Sequence, residues 1–128
     1  MQAVIMAGGK GTRLASVTKN IPKPMVPIDG KPLLEHQIEN LKKSGVDNVV
    51  LVVGYLGDVI RDYFGDGQKF GIRISYFTEE TPLGTAGALA EIEDLEENFI
   101  LLFGDLFINV DFKRFLNFHR EHEALITL

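Results

Sequence analysis

Gln2-Ala3-Val4-Ile5-Met6-Ala7-Gly8-Gly9-Lys10-Gly11-Thr12-Arg13-Leu14 stands almost at the start of the chain, an apolar run that passes without a break into a glycine-rich loop. The run from Gln2 to Ala7 is apolar at nearly every position, not at alternate ones, which predicts a strand covered on both faces, as in a parallel sheet. Gly8, Gly9 and Gly11 let the backbone approach a ligand closely and turn its amide groups inward as a concave anion site, and Arg13 adds a forked cation. The loop is neither of the two common phosphate loops. A Walker loop has Ser or Thr after Gly-Lys, where Gly11 follows Lys10, and the dinucleotide fingerprint has a third glycine where Leu14 stands. The alternative reading is a tight turn that merely happens to be basic.

Outward from this segment, short apolar runs recur with helical patterns between them, the signature of βαβ units and a mainly parallel sheet. After the loop from Gly8 to Gly30, in which Pro22, Pro24 and Pro27 are expected to hold the chain extended, Pro32 fits the first turn of a helix. Its apolar positions Leu34, Ile38 and Leu41 fall at i, i+4 and i+7, and it stops near Gly45. Asn48 to Val53 predicts a second strand, Gly57 to Phe64 a short helix, and Ile72 to Phe77 a third strand. Thr85 to Leu95 predicts a helix with Ala86, Leu89 and Ile92 on one face, and Phe99 to Phe103 a fourth strand ending in Gly104-Asp105. Asp111 then caps a helix with Phe112, Phe115, Leu116 and His119 inward, and Ala124 to Leu128 is expected to begin a fifth strand. Right-handed crossovers make a doubly wound, Rossmann-like α/β sheet the expected fold, with ligands outside the carboxyl ends of the strands where the winding reverses. If the first and fourth strands are neighbours there, the Gly8 loop and Asp105 face one crevice.

The 128 residues make one domain's worth of sequence, 45% apolar, with no apolar run that would cross a bilayer and no leader pattern, so a cytoplasmic protein is expected. There is no Cys, so disulfides, thiolate catalysis and zinc-thiolate sites drop out. A net charge of −5 argues against a nucleic-acid-binding surface. The charge is uneven. Residues 1 to 27 hold Lys10, Arg13, Lys19 and Lys23 and none of the 18 acids, giving +4, which leaves nine of the 13 bases against 18 acids, or −9, for the rest. A concentrated cationic segment on an acidic chain suits a small phosphorylated metabolite. Within it, the prolines of Pro22-Lys23-Pro24 fix the backbone on both sides of Lys23, whose direction becomes predictable.

Four blocks, Gly8-Gly9-Lys10-Gly11-Thr12-Arg13-Leu14, Pro22-Lys23-Pro24-Met25, Pro82-Leu83-Gly84-Thr85-Ala86-Gly87 and Gly104-Asp105, closely resemble the sugar-1-phosphate nucleotidyltransferases in order and approximate spacing. The nearest pattern is that of mannose-1-phosphate guanylyltransferases and their heptose-1-phosphate relatives. The resemblance implies the nucleotide-diphospho-sugar transferase fold, with residues 1 to 128 forming the N-terminal, nucleotide-binding part of a single domain. It implies that the amides of Gly8, Gly9, Gly11 and Thr12, with Ala7 beside them, bind the nucleotide. Arg13 would hold the leaving pyrophosphate, Lys23 the α-phosphate, Gly84 and Thr85 would lie near the base, and Asp105 would be one of two Asp ligands of Mg2+. The implied reaction is in-line attack by a sugar 1-phosphate on the α-phosphorus of a nucleoside triphosphate, which needs positioning and charge neutralisation more than a covalent nucleophile. The family's domain continues well past this length, so the second Asp and most of the sugar-phosphate pocket are expected to lie outside the sequence. A sheet truncated in this way would expose an edge that invites a partner or a homo-oligomer.

In the same family pattern the position five residues before the base-contacting glycine faces the base edge, and here it is Glu79, with Glu80 beside it. One carboxylate can accept both adjacent donors of guanine, whereas the carbonyls flanking the single donor of uracil or thymine repel it, so GTP is favoured. Ordinary exposed loop acids are the competing account of Glu79 and Glu80. His119 and His122 lie three apart, not at the four-residue spacing of helical zinc pairs. Three functions stay open: a guanylyltransferase domain or its UTP- or dTTP-dependent glucose-1-phosphate counterpart, a nucleotide-binding module without catalysis, and a regulatory subunit resembling an enzyme.

Overall fold

Strand β1 (Gln2–Met6) is central because both its faces are apolar. It pairs in parallel with β4 (Asn48–Val53) on one side and with β6 (Phe99–Phe103) on the other, and β4 pairs in parallel with β5 (Arg73–Thr78). These pairings come from a computed structural model that describes residues 1–9 and 21–128. The strand order β5-β4-β1-β6 means that the chain winds outward from β1 through β4 to β5, then crosses back to the far side of β1. The winding reverses between β1 and β6, as a doubly wound sheet requires.

Between the strands lie α1 (Leu33–Lys43), α2 (Gly57–Phe64) and α3 (Gly84–Glu91), and α4 (Phe112–Glu121) follows β6. One face of the sheet, carrying Ala3, Ile5, Val49, Leu51 and Ile100, is covered by Leu34, Ile38 and Leu41 of α1, Ile60 and Phe64 of α2, and Phe112 and Leu116 of α4. Each fully buried Leu or Ile stabilises the fold by about 1.5–3 kcal/mol, so the α1 stripe is a main anchor. The other face, Val4, Val50 and Val52, packs on Ala88 of α3, with Leu89, Ile92 and Leu95 partly buried around it. At the amino end of β1 the buried Gln2 has its backbone N–H and both side-chain polar atoms hydrogen-bonded. Its Nε2 donates to the Asp94 carbonyl (3.0 Å), its Oε1 accepts from the Glu96 N–H (2.8 Å), and its own N–H donates to the Glu96 carboxylate (3.1 Å).

Three expectations need correction. The proline segment is not extended throughout, since Lys23–Met25 forms a 3-10 turn closed by the Met25 N–H on the Pro22 carbonyl (2.8 Å). Proline's fixed φ suits such a turn as well as an extended chain, and the turn sinks Met25 into the core. A short hairpin follows, β2 (Pro27–Ile28) and β3 (Lys31–Pro32), joined by Asp29-Gly30, both at positive φ. The helix expected from Thr85 to Leu95 ends at Glu91, and its buried residue is Ala88, not Ala86, which is exposed. In so small-residued a helix the packing partner, not the pattern, selects the buried face. Residues 124 to 128 form no strand, and Leu125, Ile126 and Leu128 are exposed. Apolar composition cannot make a strand without a neighbouring ladder to join. As expected, the Asp111 carboxylate caps α4 by accepting the Arg114 N–H (3.1 Å), with Phe112 and Leu116 buried and Phe115 and His119 half-buried. No helix among the described residues is long and apolar enough to cross a membrane.

Candidate active site

The carboxyl ends of the four strands finish at one level. Met6 lies opposite Val52 and Phe103, and Val53 opposite Thr78. Continued one or two residues, the same register aligns Glu79, Gly54, Gly8 and Asp105 across the sheet. Ladder bonds persist to that edge: the Ala7 N–H donates to the Val52 carbonyl (2.8 Å), the Glu79 N–H to Val53 (2.8 Å) and the Gly104 N–H to Met6 (2.9 Å). Two glycines thus form the middle of a row with a carboxylate at each end. The Gly8 and Asp105 end of the row lies at the reversal between β1 and β6, where an open α/β sheet leaves a crevice.

Close approach explains the glycine at position 8. A β-carbon there would stand 3.1 Å from Glu79 Oε1 and 3.3 Å from the Gly54 nitrogen. The Glu79 carboxylate therefore lies over the glycine row, while its Oε2 accepts the Leu83 N–H (2.9 Å) and closes the loop into α3. Gly84, the first residue of α3, has φ of 72°, a left-handed value that favours glycine. Thr85 follows it in the first turn, half-buried. Gly9 is exposed beyond Gly8, and Ala7 is buried at the strand end.

On the other side of the row, Lys23 Nζ lies 3.2 Å from Asp105 Oδ2, with the side chains 26% and 45% exposed. Packing sets this pair. A β-carbon at Gly104 would stand 3.0 Å from Pro24 Cγ and 3.3 Å from the Met6 carbonyl oxygen, so the proline ring rests directly on the glycine and delivers its neighbour Lys23 to Asp105. Gly104→Ala is expected to push the ring away, costing about 1 kcal/mol as mild overpacking. Urea unfolding checks that loss, and Pro24 left against residue 104 in a crystal structure of the variant would contradict the mechanism.

Lys23, Asp105, Glu79, Gly84 and the Gly8 turn are thereby gathered at one end of the sheet. Gly11, Thr12 and Arg13 lie outside the described residues. Among those described, no group of three or more His, Asp or Glu side chains is arranged to hold a metal. His119 is engaged by Thr127 Oγ1 (2.8 Å) and Asn98 Oδ1 (3.1 Å). Two residues of the site escaped the sequence reading. Gly54 directly follows β4 beside Gly8, and a glycine directly after an apolar run was its signal. Gln37 lies 3% exposed on the apolar stripe of α1 and donates from Nε2 to the carbonyls of Phe103 (2.9 Å) and Leu106. Its signal was an amide on a face otherwise built of Leu and Ile.

The model of the family described as Nucleotidyl transferase matches residues 2–128. The chain belongs to the nucleotidyl transferase family. Within it, the chain is 47% identical over 115 residues to the D-glycero-α-D-manno-heptose 1-phosphate guanylyltransferase of Campylobacter jejuni, covering 89% of the chain and 52% of that protein. It is 40% identical to the mannose-1-phosphate guanylyltransferase of Mycobacterium tuberculosis, covering 100% of the chain and 36% of the relative. A UTP–glucose-1-phosphate uridylyltransferase of Synechocystis sp. is 38% identical, also over 100% of the chain and 36% of the relative. The solved structure of HddC from Yersinia pseudotuberculosis complexed with GMP-PN superposes with a TM-score of 0.78 at 38% identity, covering 92% of this chain and 53% of that one. This nucleotidyl transferase chain thus spans between about a third and a half of the lengths of the proteins it matches.

Proposed function

We propose that residues 1 to 128 form the nucleotide-binding part of an enzyme that transfers GMP from GTP to a sugar 1-phosphate, releasing pyrophosphate. The observation that carries this reading is the Lys23–Asp105 pair at 3.2 Å beside the Gly8–Gly54 row. It is a cation and an anion held together at the end of the sheet where a polyphosphate would lie.

In this reading the phosphates lie along the Gly8 and Gly9 backbone, which carries no side chain of its own, and Ala7, Gly11 and Thr12 are assigned to the same nucleotide. Lys23 turns its ammonium to the α-phosphate, and Arg13 holds the β- and γ-phosphates. A sugar 1-phosphate oxygen attacks the α-phosphorus, a new P–O bond forms, and the bond to the bridging oxygen breaks opposite it, so that pyrophosphate leaves with the bond's electron pair. Asp105 fits a Mg2+ ion. It is a hard oxygen donor, half exposed, with only Oδ2 engaged by Lys23, and Mg2+ characteristically takes one or two carboxylates with substrate phosphates and water. When bound, the ion would neutralise charge developing on the phosphoryl oxygens. We place this chemistry in the cytoplasm, where triphosphates and sugar phosphates are at hand.

The GTP preference rests on Glu79, whose carboxylate lies over Gly8 five residues before Gly84, and is supported by the guanylyltransferase relatives and the GMP-PN complex. Thr85, next to Gly84, completes the base side of the site. A UTP-dependent enzyme is the second reading, favoured by the Synechocystis relative. Calorimetric titration with GTP, UTP, dTTP, CTP and ATP in Mg2+ separates them. The expected result is selective GTP binding that Glu79→Gln weakens about tenfold, as for a lost charge-assisted hydrogen bond. Tighter UTP or dTTP binding would overturn the base assignment, and no triphosphate binding by a folded sample would overturn the site itself. Pyrophosphate release with mannose 1-phosphate or a heptose 1-phosphate then tests transfer against a binding-only module.

A further inference from the structure

We infer that Gln37 is a positioning residue for Asp105, acting by clamping the turn that carries it. The inference rests on the reading of Asp105 as a Mg2+ ligand and adds a residue to that site. Residues 103 to 106 form a tight turn, closed by the Leu106 N–H donating to the Phe103 carbonyl (3.2 Å), and Asp105 is its third residue. Gln37 Nε2 donates to the carbonyls at both ends of this turn, Phe103 (2.9 Å) and Leu106. Both hydrogens of one buried amide therefore span the segment that bears the carboxylate. Pro24 also rests on Gly104 within the same turn, so α1 and the Lys23 segment both touch it.

The position of Gln37 points to a role beyond stability. It sits on the buried side of α1 with Leu34, Ile38 and Leu41, where an apolar residue would pack without a polar group to satisfy. Its Oε1 is buried and has no partner among the described residues, a cost that an apolar side chain would not carry. Asn40, one turn further along α1, continues the clamp by donating from Nδ2 to the Val110 carbonyl (3.1 Å). The helix thus fastens the path from β6 towards α4 by side-chain amides, and the turn of Asp105 lies where the fastening is most buried. A carboxylate whose backbone is fixed at both ends meets a cation without an ordering cost, the effect that partners behind a metal ligand have on metal affinity.

Titration of GTP into the wild-type chain, Gln37→Leu, Gln37→Met and Asp105→Asn, each with Mg2+ and with EDTA, tests the proposal. The wild type should gain affinity with Mg2+. The Gln37 variants should lose about tenfold in that gain, as when a residue behind a metal ligand is removed, yet match the wild type in EDTA. Amide resonances of Gly104, Asp105 and Leu106 in the metal-free chain should shift or broaden in the Gln37 variants, a readout independent of metal and activity. Equal losses with and without Mg2+ would show a merely structural role and overturn the inference, as would an undiminished gain with unchanged resonances. A wild type that gains nothing from Mg2+ overturns the reading of Asp105 and the inference with it, which distinguishes that failure from loss of the Gln37 role alone. Should Gln37→Leu fail to fold, the unbranched Gln37→Met carries the same comparison.

Discussion

If Lys23 meets the α-phosphate as proposed, Lys23→Ala is expected to slow nucleotidyl transfer by about 100- to 1,000-fold, the usual cost of removing a preorganised group from charge developing in a transition state. The preorganisation is visible in the backbone. Lys23 opens a 3-10 turn whose Pro24 sits on Gly104, and its ammonium is held 3.2 Å from Asp105. On the proposed reading, its loss takes the cation from the α-phosphate and the partner from Asp105, so like charges would face each other in the ground state too. Stability should hardly change, because a partly exposed pair is worth only about 0–1 kcal/mol. Pyrophosphate release and the urea midpoint, measured on the same samples, separate the two effects. Turnover at the wild-type rate would remove Lys23 from the chemistry, and a large loss of stability would recast it as a structural residue.

Gly67→Ala should be the most damaging small substitution for folding, with a loss of about 3 kcal/mol or more. Gly67 lies in the connection from α2 to β5 with φ of 86°. A β-carbon there would stand 2.0 Å from the Ile72 carbonyl oxygen, 2.7 Å from Ile74 Cγ1 and 3.0 Å from the Ile74 nitrogen. Two of these atoms are backbone at the start of a sheet strand and cannot swing aside. The Ile74 N–H is also bonded to the Asp66 carbonyl (2.9 Å), and the Ile72 N–H to the Gly67 carbonyl (3.3 Å), so relief would break ladder-edge contacts. The left-handed backbone contributes about 1–2 kcal/mol and the overpacking about 1–3 kcal/mol. Gly45→Ala is the control. Gly45 also has a positive φ (93°), but nothing lies within 4 Å of the added carbon, so only the backbone cost of about 1–2 kcal/mol applies. Equal urea midpoints for the two variants would show that the clash at Gly67 is relieved and the argument wrong.

Elements whose character is local were legible in the chain. Asn48–Val53, Gly57–Phe64 and Phe99–Phe103 coincide with their expected bounds, because an unbroken Val and Leu run has one comfortable conformation and Gly65 punctuates the helix after Phe64. The Asp111 cap was legible for the same reason, since a side-chain oxygen at a helix start acts within three residues of itself. Where the local pattern was weak, packing overruled it. The small residues from Gly84 to Glu91 carry little amphipathic signal, and contact with Val4, Val50 and Val52 selected Ala88 as the buried position.

The sequence by itself determined the kind of protein this is. Alternating parallel-type strands and helices imply a doubly wound sheet, and the glycine loop, Lys23, Gly84 and Asp105 show the family's pattern in residue type and order. Tertiary structure alone decided which groups meet. Glu79 comes to lie over Gly8 because β5 joins the sheet on the far side of β4, and Lys23 reaches Asp105 because Pro24 settles on Gly104. Gln37 acquires its partners because α1 crosses the same face as the end of β6. The physical reason is separation along the chain: these contacts join residues tens of positions apart, and no local propensity encodes a distance that only the strand order and the packing of helices on the sheet can set.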